Sequence, residues 1–177
     1  MPTISIHSAT FTSERPDVGR LVRVEQHHMN GLPSYTIIGL PDNVYRASRE
    51  RVQSALLSSG LSWPMRRVTI NLAPAAHRVG QSLDLAIALG MMALTGEIAP
   101  ARLEGVGALG ALGLDGAVRP LPNIAPLVAA LSDNPDIHTI LVPHENFEES
   151  LGFNGVVAVA LSLRQICRAM RRGRWVV

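Results

Sequence analysis

Residues 82–95 read SLDLAIALGMMALT, and this stretch decides the fold. Apolar side chains fill nearly every position between Ser82 and Gly96, so the segment has no polar face. A helix that is apolar nearly all round lies inside a domain, because none of its sides is suited to water. The segment therefore predicts a central buried helix that ends at Gly96.

Short β-branched and apolar runs alternate with helical stretches on both sides of this helix. Such runs are typical of strands. Their alternation with helices indicates an α+β domain, an α/β sandwich built on a mixed sheet. The eight predicted strands are residues 4–7, 21–25, 35–38, 68–72, 106–109, 117–121, 137–142 and 156–160.

Three further helices are predicted, the longest of them amphipathic. It should start near Pro41 with Asp42 or Asn43 as its cap, and stop at Gly60, where a left-handed residue is expected. The other two should lie near residues 123–131 and 161–172. In the long helix the apolar positions are Val44, Ala47, Val52, Ala55 and Leu56, and the polar face is Arg46, Arg49, Glu50 and Gln53.

A hairpin is expected over residues 103–121. It should turn at Asp115-Gly116, a dipeptide that suits the positive φ angles of a tight turn. The same region carries a glycine series that could suggest a nucleotide cradle. Because these glycines do not lie at a strand-to-helix turn, we interpret them as strand-packing and turn residues. The series is Gly105, Gly107, Gly110, Gly113 and Gly116.

Length and composition suit one globular domain over residues 1–177. The chain is 47% hydrophobic and 17% charged, with a net charge of +2. No apolar run approaches the roughly 20 residues that span a bilayer, and the first residues lack the features of a signal peptide, so we expect a cytoplasmic protein without a membrane segment. A lone cysteine, Cys167, and scattered histidines give no metal-ligand spacing, so no metal site is predicted.

The chain contains no lysine, since all 16 basic residues are arginine. The phosphate-binding loop G-x-x-x-x-G-K-[ST] needs a lysine on the phosphates. We therefore expect these residues neither to bind nor to hydrolyse ATP, and predict no cofactor site.

Ser82 is the one plausible nucleophile. A serine at the start of a helix is ordinarily an N-cap, and Asp84 is ordinarily a first-turn acid that suits the helix dipole, so both are interpreted as structural caps. A serine nucleophile needs a histidine base, or a lysine of depressed pKa. Lysine is absent, and no acid is placed in sequence to orient His77, the nearest histidine. No catalytic residue is predicted.

A series of motifs in order along the chain resembles the N-terminal domain of the magnesium chelatase-like AAA+ ATPases of the ComM/YifB type. The series covers nearly the whole chain, although the loop at residues 76–82 lacks the acid and lysine usual in the family. The motifs are residues 30–33 (NGLP), 38–42 (IGLPD), 48–55 (SRERVQSA), 68–75 (VTINLAPA), 84–88 (DLAIA), 110–112 (GAL) with 116–120 (GAVRP), and 142–146 (VPHEN).

This resemblance implies a fold shared with the Lon proteolytic domain, the ribosomal protein domain 2-like fold. When the hairpin of this chain is aligned with the hairpin of Lon, Leu127 falls near the position of the catalytic lysine of Lon. A serine–lysine dyad would therefore lack its base. Family members fuse this domain to a ring-forming AAA+ ATPase domain, which would hold the ATP and Mg and which we do not expect within these residues. ComM proteins are associated with DNA branch migration in natural transformation.

The resemblance therefore implies a non-catalytic accessory domain that contacts DNA, weakly and without sequence preference, or the ATPase domain and subunits of the same ring. Two alternatives remain open: a Lon-like serine peptidase with a histidine base, and a free-standing regulatory or vestigial domain. The expected contact residues lie on the polar helix face, in the loop before the buried helix, or in the arginine-rich tail. They are Arg46, Arg49, His77, Arg78, Arg171 and Arg172.

Overall fold

A computed structural model describes residues 3–75 and 81–175 of the chain, which form nine strands and four α-helices. Each predicted strand overlaps an observed one. The elements are β1 (Ile4–Phe11), β2 (Gly19–Met29), β3 (Ser34–Ile38), α1 (Asp42–Ser58), β4 (Arg67–Ala73), α2 (Asp84–Leu94), β5 (Val106–Ala108), β6 (Ala111–Leu112), β7 (Val118–Arg119), α3 (Ala125–Ser132), β8 (Thr139–Pro143), β9 (Val156–Ala160) and α4 (Leu163–Arg172).

Seven strands form one mixed sheet in the order β3-β4-β2-β1-β5-β8-β9. β2 pairs antiparallel with both β1 and β4, and the other four neighbouring pairs are parallel. β1 and β2 form a longer ribbon than predicted, with register partners from Ile4↔Gln26 to Phe11↔Gly19. The mixed sheet expected from the sequence is confirmed.

Helices cover both faces of the sheet. Alternate residues of a strand point to opposite faces: Ile4 and Ile6 of β1 belong to the core cluster that includes α1, α2 and α4, whereas Ala9 belongs to a second cluster built on α3. The predicted sandwich is therefore confirmed, with three helices on one face and α3 on the other.

The α2 helix lies in the centre of the larger cluster, as predicted. Ten of its eleven residues are buried. Gly96 follows its end with a φ of +78°, a left-handed conformation that glycine adopts without steric cost. The helix begins at Asp84, two residues after its predicted start at Ser82, because residues Gln81–Leu83 form a separate 3₁₀ turn.

The α1 helix starts and stops where the sequence predicted. Its N-cap position is occupied by Pro41, with no side-chain cap, so the expectation that Asp42 or Asn43 caps it is wrong. At its end the Leu61 N–H donates to the Leu56 carbonyl at 3.0 Å, and Gly60 has a φ of +72°, which is the Schellman arrangement.

The predicted hairpin is present but narrower than residues 103–121. β6 pairs with β7 around a turn in which the Ala117 N–H donates to Asp115 and Gly116 has a φ of +86°. β5 lies outside it, because that strand pairs with β1 and β8 in the main sheet. The glycines of this region serve turns and close packing, as expected: a Cβ on Gly107 would lie 3.2 Å from Leu131.

Candidate functional site

The start of α2 holds a buried ionic cluster formed by Asp84, Ser48 and Arg51. Asp84 is only 2% exposed. It accepts hydrogen bonds from Ser48 Oγ at 3.0 Å and from Arg51 Nε at 2.5 Å, with Arg51 Nη2 at 3.3 Å. Burial raises the pKa of the Asp84 carboxyl above its ordinary value, while the two donors oppose that rise. The cluster ties α1 to α2.

This arrangement corrects two expectations. Asp84 lies in the first turn of α2, where the helix dipole was expected to favour it. It was also expected to act as a cap by accepting from backbone N–H groups, but its partners among the described residues are side chains of α1. Ala47 was expected to face the core, but it is exposed and Ser48 is buried instead. The reason is the same in both cases, because α1 turns Ser48 and Arg51 towards the buried carboxylate.

Arg49 packs beside this cluster instead of lying on an open polar face. Its guanidinium carbon is 5.8 Å from the centroid of the Tyr35 ring, which in turn lies 5.4 Å from the Trp63 ring. Burial raises the pKa of Tyr35. The expectation that Arg49 lies on the open side of α1 is therefore wrong, because a cation over an aromatic face is attracted to it.

A cavity of about 360 Å³ opens where the 3₁₀ turn before α2 meets α3 and the β6–β7 hairpin. Ser82 contributes one wall and Leu127 of α3 another, so the structure brings together the two residues that the resemblance placed side by side. The lining is mostly apolar: Thr10, Phe11, Gln81, Ser82, Ala111, Pro120, Leu121, Pro122 and Leu127.

Ser82 does not cap α2. Its hydroxyl donates to the carbonyl of Ala9 at 2.9 Å, and Leu83 occupies the N-cap position without a side-chain cap. The cap prediction is wrong because the 3₁₀ turn displaces Ser82 from the helix start and points it at β1. Among the described lining residues there is no acid, histidine or other base beside the hydroxyl.

The remaining predicted contact residues are scattered. Arg46 is exposed on α1. Arg171 forms an ion pair with Glu97 and donates to the Glu97 carbonyl at 2.8 Å, so its guanidinium is already engaged. Arg172 lies in a depression at the end of α4. His77 and Arg78 lie outside the described residues.

Comparison with known proteins agrees with the family that the motifs resemble. A family model described as subunit ChlI of Mg-chelatase matches residues 24–146. The chain belongs to the magnesium chelatase-like ComM/YifB family. YifB of Escherichia coli is 34% identical over 149 residues, which cover 82% of this chain and 29% of YifB.

Two other curated proteins match comparably. An uncharacterised protein of Mycobacterium tuberculosis is 35% identical over 139 residues, 78% of this chain and 27% of that protein. The competence protein ComM of Haemophilus influenzae is 34% identical over 111 residues, 62% of this chain and 22% of ComM. The chain therefore spans about a quarter of the length of the curated relatives it matches.

In this member of the ComM/YifB family, the sequence did not predict the grouping of Trp175 with Arg168 and Arg174. These side chains line the same depression as Arg172. The spacing of Arg168 and Arg172, four residues apart on a helix, was a signal that they share one face. Nothing in the sequence indicated that Trp175, beyond the end of α4, folds back against that face.

Two kinds of feature are not found in the described part of the chain. No group of three His, Cys, Asp or Glu side chains in residues 3–75 and 81–175 is placed to hold a metal ion. Over the same residues, no helix is both long and apolar enough to cross a membrane.

Replacing Ser82 with alanine should lower the free energy of unfolding by about 1–2 kcal/mol. The reason is that the Ala9 carbonyl would lose its buried hydroxyl donor. Urea denaturation would measure the change. Ser8→Ala is the matched control, because Ser8 Oγ donates to the Ala108 carbonyl in the same way at 2.6 Å. Stoichiometric labelling of Ser82 by a serine-reactive probe would contradict its structural role.

Proposed function

We propose that this chain is a non-catalytic accessory domain of a ComM-like AAA+ ATPase, which supplies contacts to DNA or to the ATPase domains of its ring. ATP binding and hydrolysis then belong to an AAA+ domain outside these 177 residues. DNA processing, including natural transformation, is the activity that the domain serves.

The observation that carries this proposal is the composition of the Ser82 cavity. A serine hydrolase needs a base within hydrogen-bond reach of its nucleophile. Here the Ser82 hydroxyl donates to a backbone carbonyl, and Leu127 lines the same cavity. A leucine cannot accept the proton, and no other base lies among the described lining residues, so the described part of the site is suited to packing.

The sequence also supports placing ATP binding and hydrolysis outside these residues. A phosphate-binding loop requires a lysine, and the chain has none. Among the relatives, one is named a competence protein, ComM of Haemophilus influenzae. That name, together with the ChlI family match, supports a role beside an ATPase.

Mg-ATP should leave the melting temperature of the purified chain unchanged, and no phosphate should be released. A ligand present at a hundred times its Kd stabilises the folded state by about 2.7 kcal/mol. In a protein of this size that raises the melting temperature by roughly 5–10 °C. Differential scanning calorimetry with and without Mg-ATP, alongside a phosphate-release assay, checks both expectations. ATP turnover, or a rise of several degrees, would overturn the accessory role.

A further inference from the structure

The exposed side of α4 and the residues that follow it form a depression of about 580 Å³, here called the arginine groove. Its volume is in the range of ligand clefts, roughly 300–1,000 Å³. Three of its lining side chains are arginines and one is tryptophan. The lining is Gln165, Arg168, Ala169, Arg172, Arg174 and Trp175.

The sequence of α4 fixes this arrangement. Ser162 caps the helix by accepting a hydrogen bond from the Gln165 N–H at 3.1 Å. The buried positions recur at helical spacing, so the arginines between them face outwards. Gly173 ends the helix with a φ of +68°, and the chain turns back so that Trp175 packs partly buried against the core. The buried stripe is Leu163, Ile166, Cys167 and Met170.

No acid in the described part of the chain balances the positive charge of the groove. Arg168, Arg172 and Arg174 form no ion pair with any acid in residues 3–75 and 81–175. Like charges four residues apart on a helix repel each other and destabilise it. Glu97, which is close to the groove, is already paired with Arg171. An anionic ligand would remove the repulsion.

Favourable interaction with the helix dipole does not account for the whole groove. Basic residues in the last turn of a helix are stabilising, which covers Arg171 and Arg172. It does not explain Arg174 beyond the helix end, or an indole held beside the three cations.

A second depression shows that arginines alone do not make this arrangement. Arg15 and Arg20 line it on the α3 side of the sheet, together with Asp133. That lining contains an acid and no aromatic ring. The two depressions therefore differ in charge balance and in the presence of an aromatic ring, the two features that would bind a nucleic acid.

We propose that the arginine groove binds single-stranded nucleic acid, with Arg168, Arg172 and Arg174 on the phosphates and one unpaired base stacked on Trp175. Base stacking on an aromatic ring beside cations is the usual way in which single strands bind without sequence preference. A duplex keeps its bases paired and stacked, so it cannot offer a base face to the indole. This proposal deepens the DNA contact of the proposed function and rests on it.

Tryptophan fluorescence tests the groove directly in the full chain. The sequence has two tryptophans, Trp63 and Trp175. A Trp63→Phe background keeps a ring beside Tyr35 and leaves Trp175 as the only reporter. Titration with a thymidine oligonucleotide at low salt should quench this fluorescence. Repeated at physiological salt, the titration should give a Kd of about 10⁻⁴ M. A duplex of equal length should quench it much less.

Three variants separate stacking, charge and location. Trp175→Leu should weaken binding about tenfold, as measured by anisotropy of a labelled oligonucleotide. Arg168→Glu with Arg172→Glu should reduce the slope of log K against log salt by about 1.4, which corresponds to two phosphates. The matched control is Arg15→Glu with Arg20→Glu, which changes the net charge equally on the other face and should leave the quenching in place.

The outcomes distinguish the groove from the accessory role. Loss of binding in the Arg15/Arg20 variant, equal to that in the Arg168/Arg172 variant, would overturn the groove while a DNA contact remained. Absence of quenching by any oligonucleotide at low salt would also overturn it, and would leave the accessory role to protein contacts. Neither result bears on the expectation that the chain does not bind ATP, which the calorimetric experiment tests separately.

Discussion

Replacing Asp84 with leucine should lower the free energy of unfolding by about 3 kcal/mol or more. Removing one partner of a buried ion pair typically costs about 3–5 kcal/mol, because the other charge is left without compensation. Arg51 is 22% exposed and can regain some water, so the lower end of that range is expected. Ser48 would lose its acceptor as well. Urea denaturation of both proteins measures the difference.

Asp42→Leu is the matched control for this change. Asp42 is also an acid in the first turn of a helix, but it is exposed and has no side-chain cap bond. Its replacement should change stability by no more than about 0.5 kcal/mol. If both variants were equally stable, the ionic cluster would not hold α1 against α2, and the buried position of Ser48 would lose its explanation.

The elements that the sequence predicted correctly are those decided by local pattern. α2 is apolar on all sides, so its burial followed from composition alone. Gly60 ends α1 because a left-handed residue is needed there. The lengths of β1 and β2 were underestimated because polar residues interrupt their apolar runs: Ser8 and Thr10 of β1 are buried all the same, and Arg20 of β2 is exposed.

The features that the sequence could not predict depend on contacts between distant parts of the chain. Ser82 binds the Ala9 carbonyl, 73 residues away. Asp84 is held by Ser48 and Arg51, more than 30 residues before it. A serine and an acid at a helix start have the same local pattern whether or not they cap it, so only the tertiary fold separates the two roles.

The candidate site follows the same division. The absence of lysine can be seen from composition alone, and it weighs against a phosphate-binding loop for ATP. The tail arginines are visible as a group in the sequence, but the pairing of Arg171 with Glu97 and the place of Arg172 in the groove are not. The position of Trp175 depends on the turn at Gly173 and on a core built from the rest of the domain.

Replacing Gly19 with alanine should destabilise the fold by about 3 kcal/mol, through the packing of α3 on β2. A Cβ on Gly19 would lie 2.2 Å from the carbonyl oxygen of Pro126 and 2.7 Å from its carbonyl carbon. Both are backbone atoms, so no side chain can rotate away and α3 itself must shift. Overpacking of this kind typically costs about 1–3 kcal/mol, and a clash with backbone belongs at the upper end.

Gly152→Ala supplies the control, because nothing lies within 4 Å of the added carbon and Gly152 does not have a left-handed φ. It should change stability by less than about 0.5 kcal/mol. Calorimetry should therefore show a lower melting temperature, by roughly 6–12 °C, for Gly19→Ala alone. Leu127, which walls the Ser82 cavity, directly follows Pro126 on α3. If Gly19→Ala were as stable as the unaltered chain, α3 would not lie against β2 as described, and the placement of Leu127 in the Ser82 cavity would fail with it.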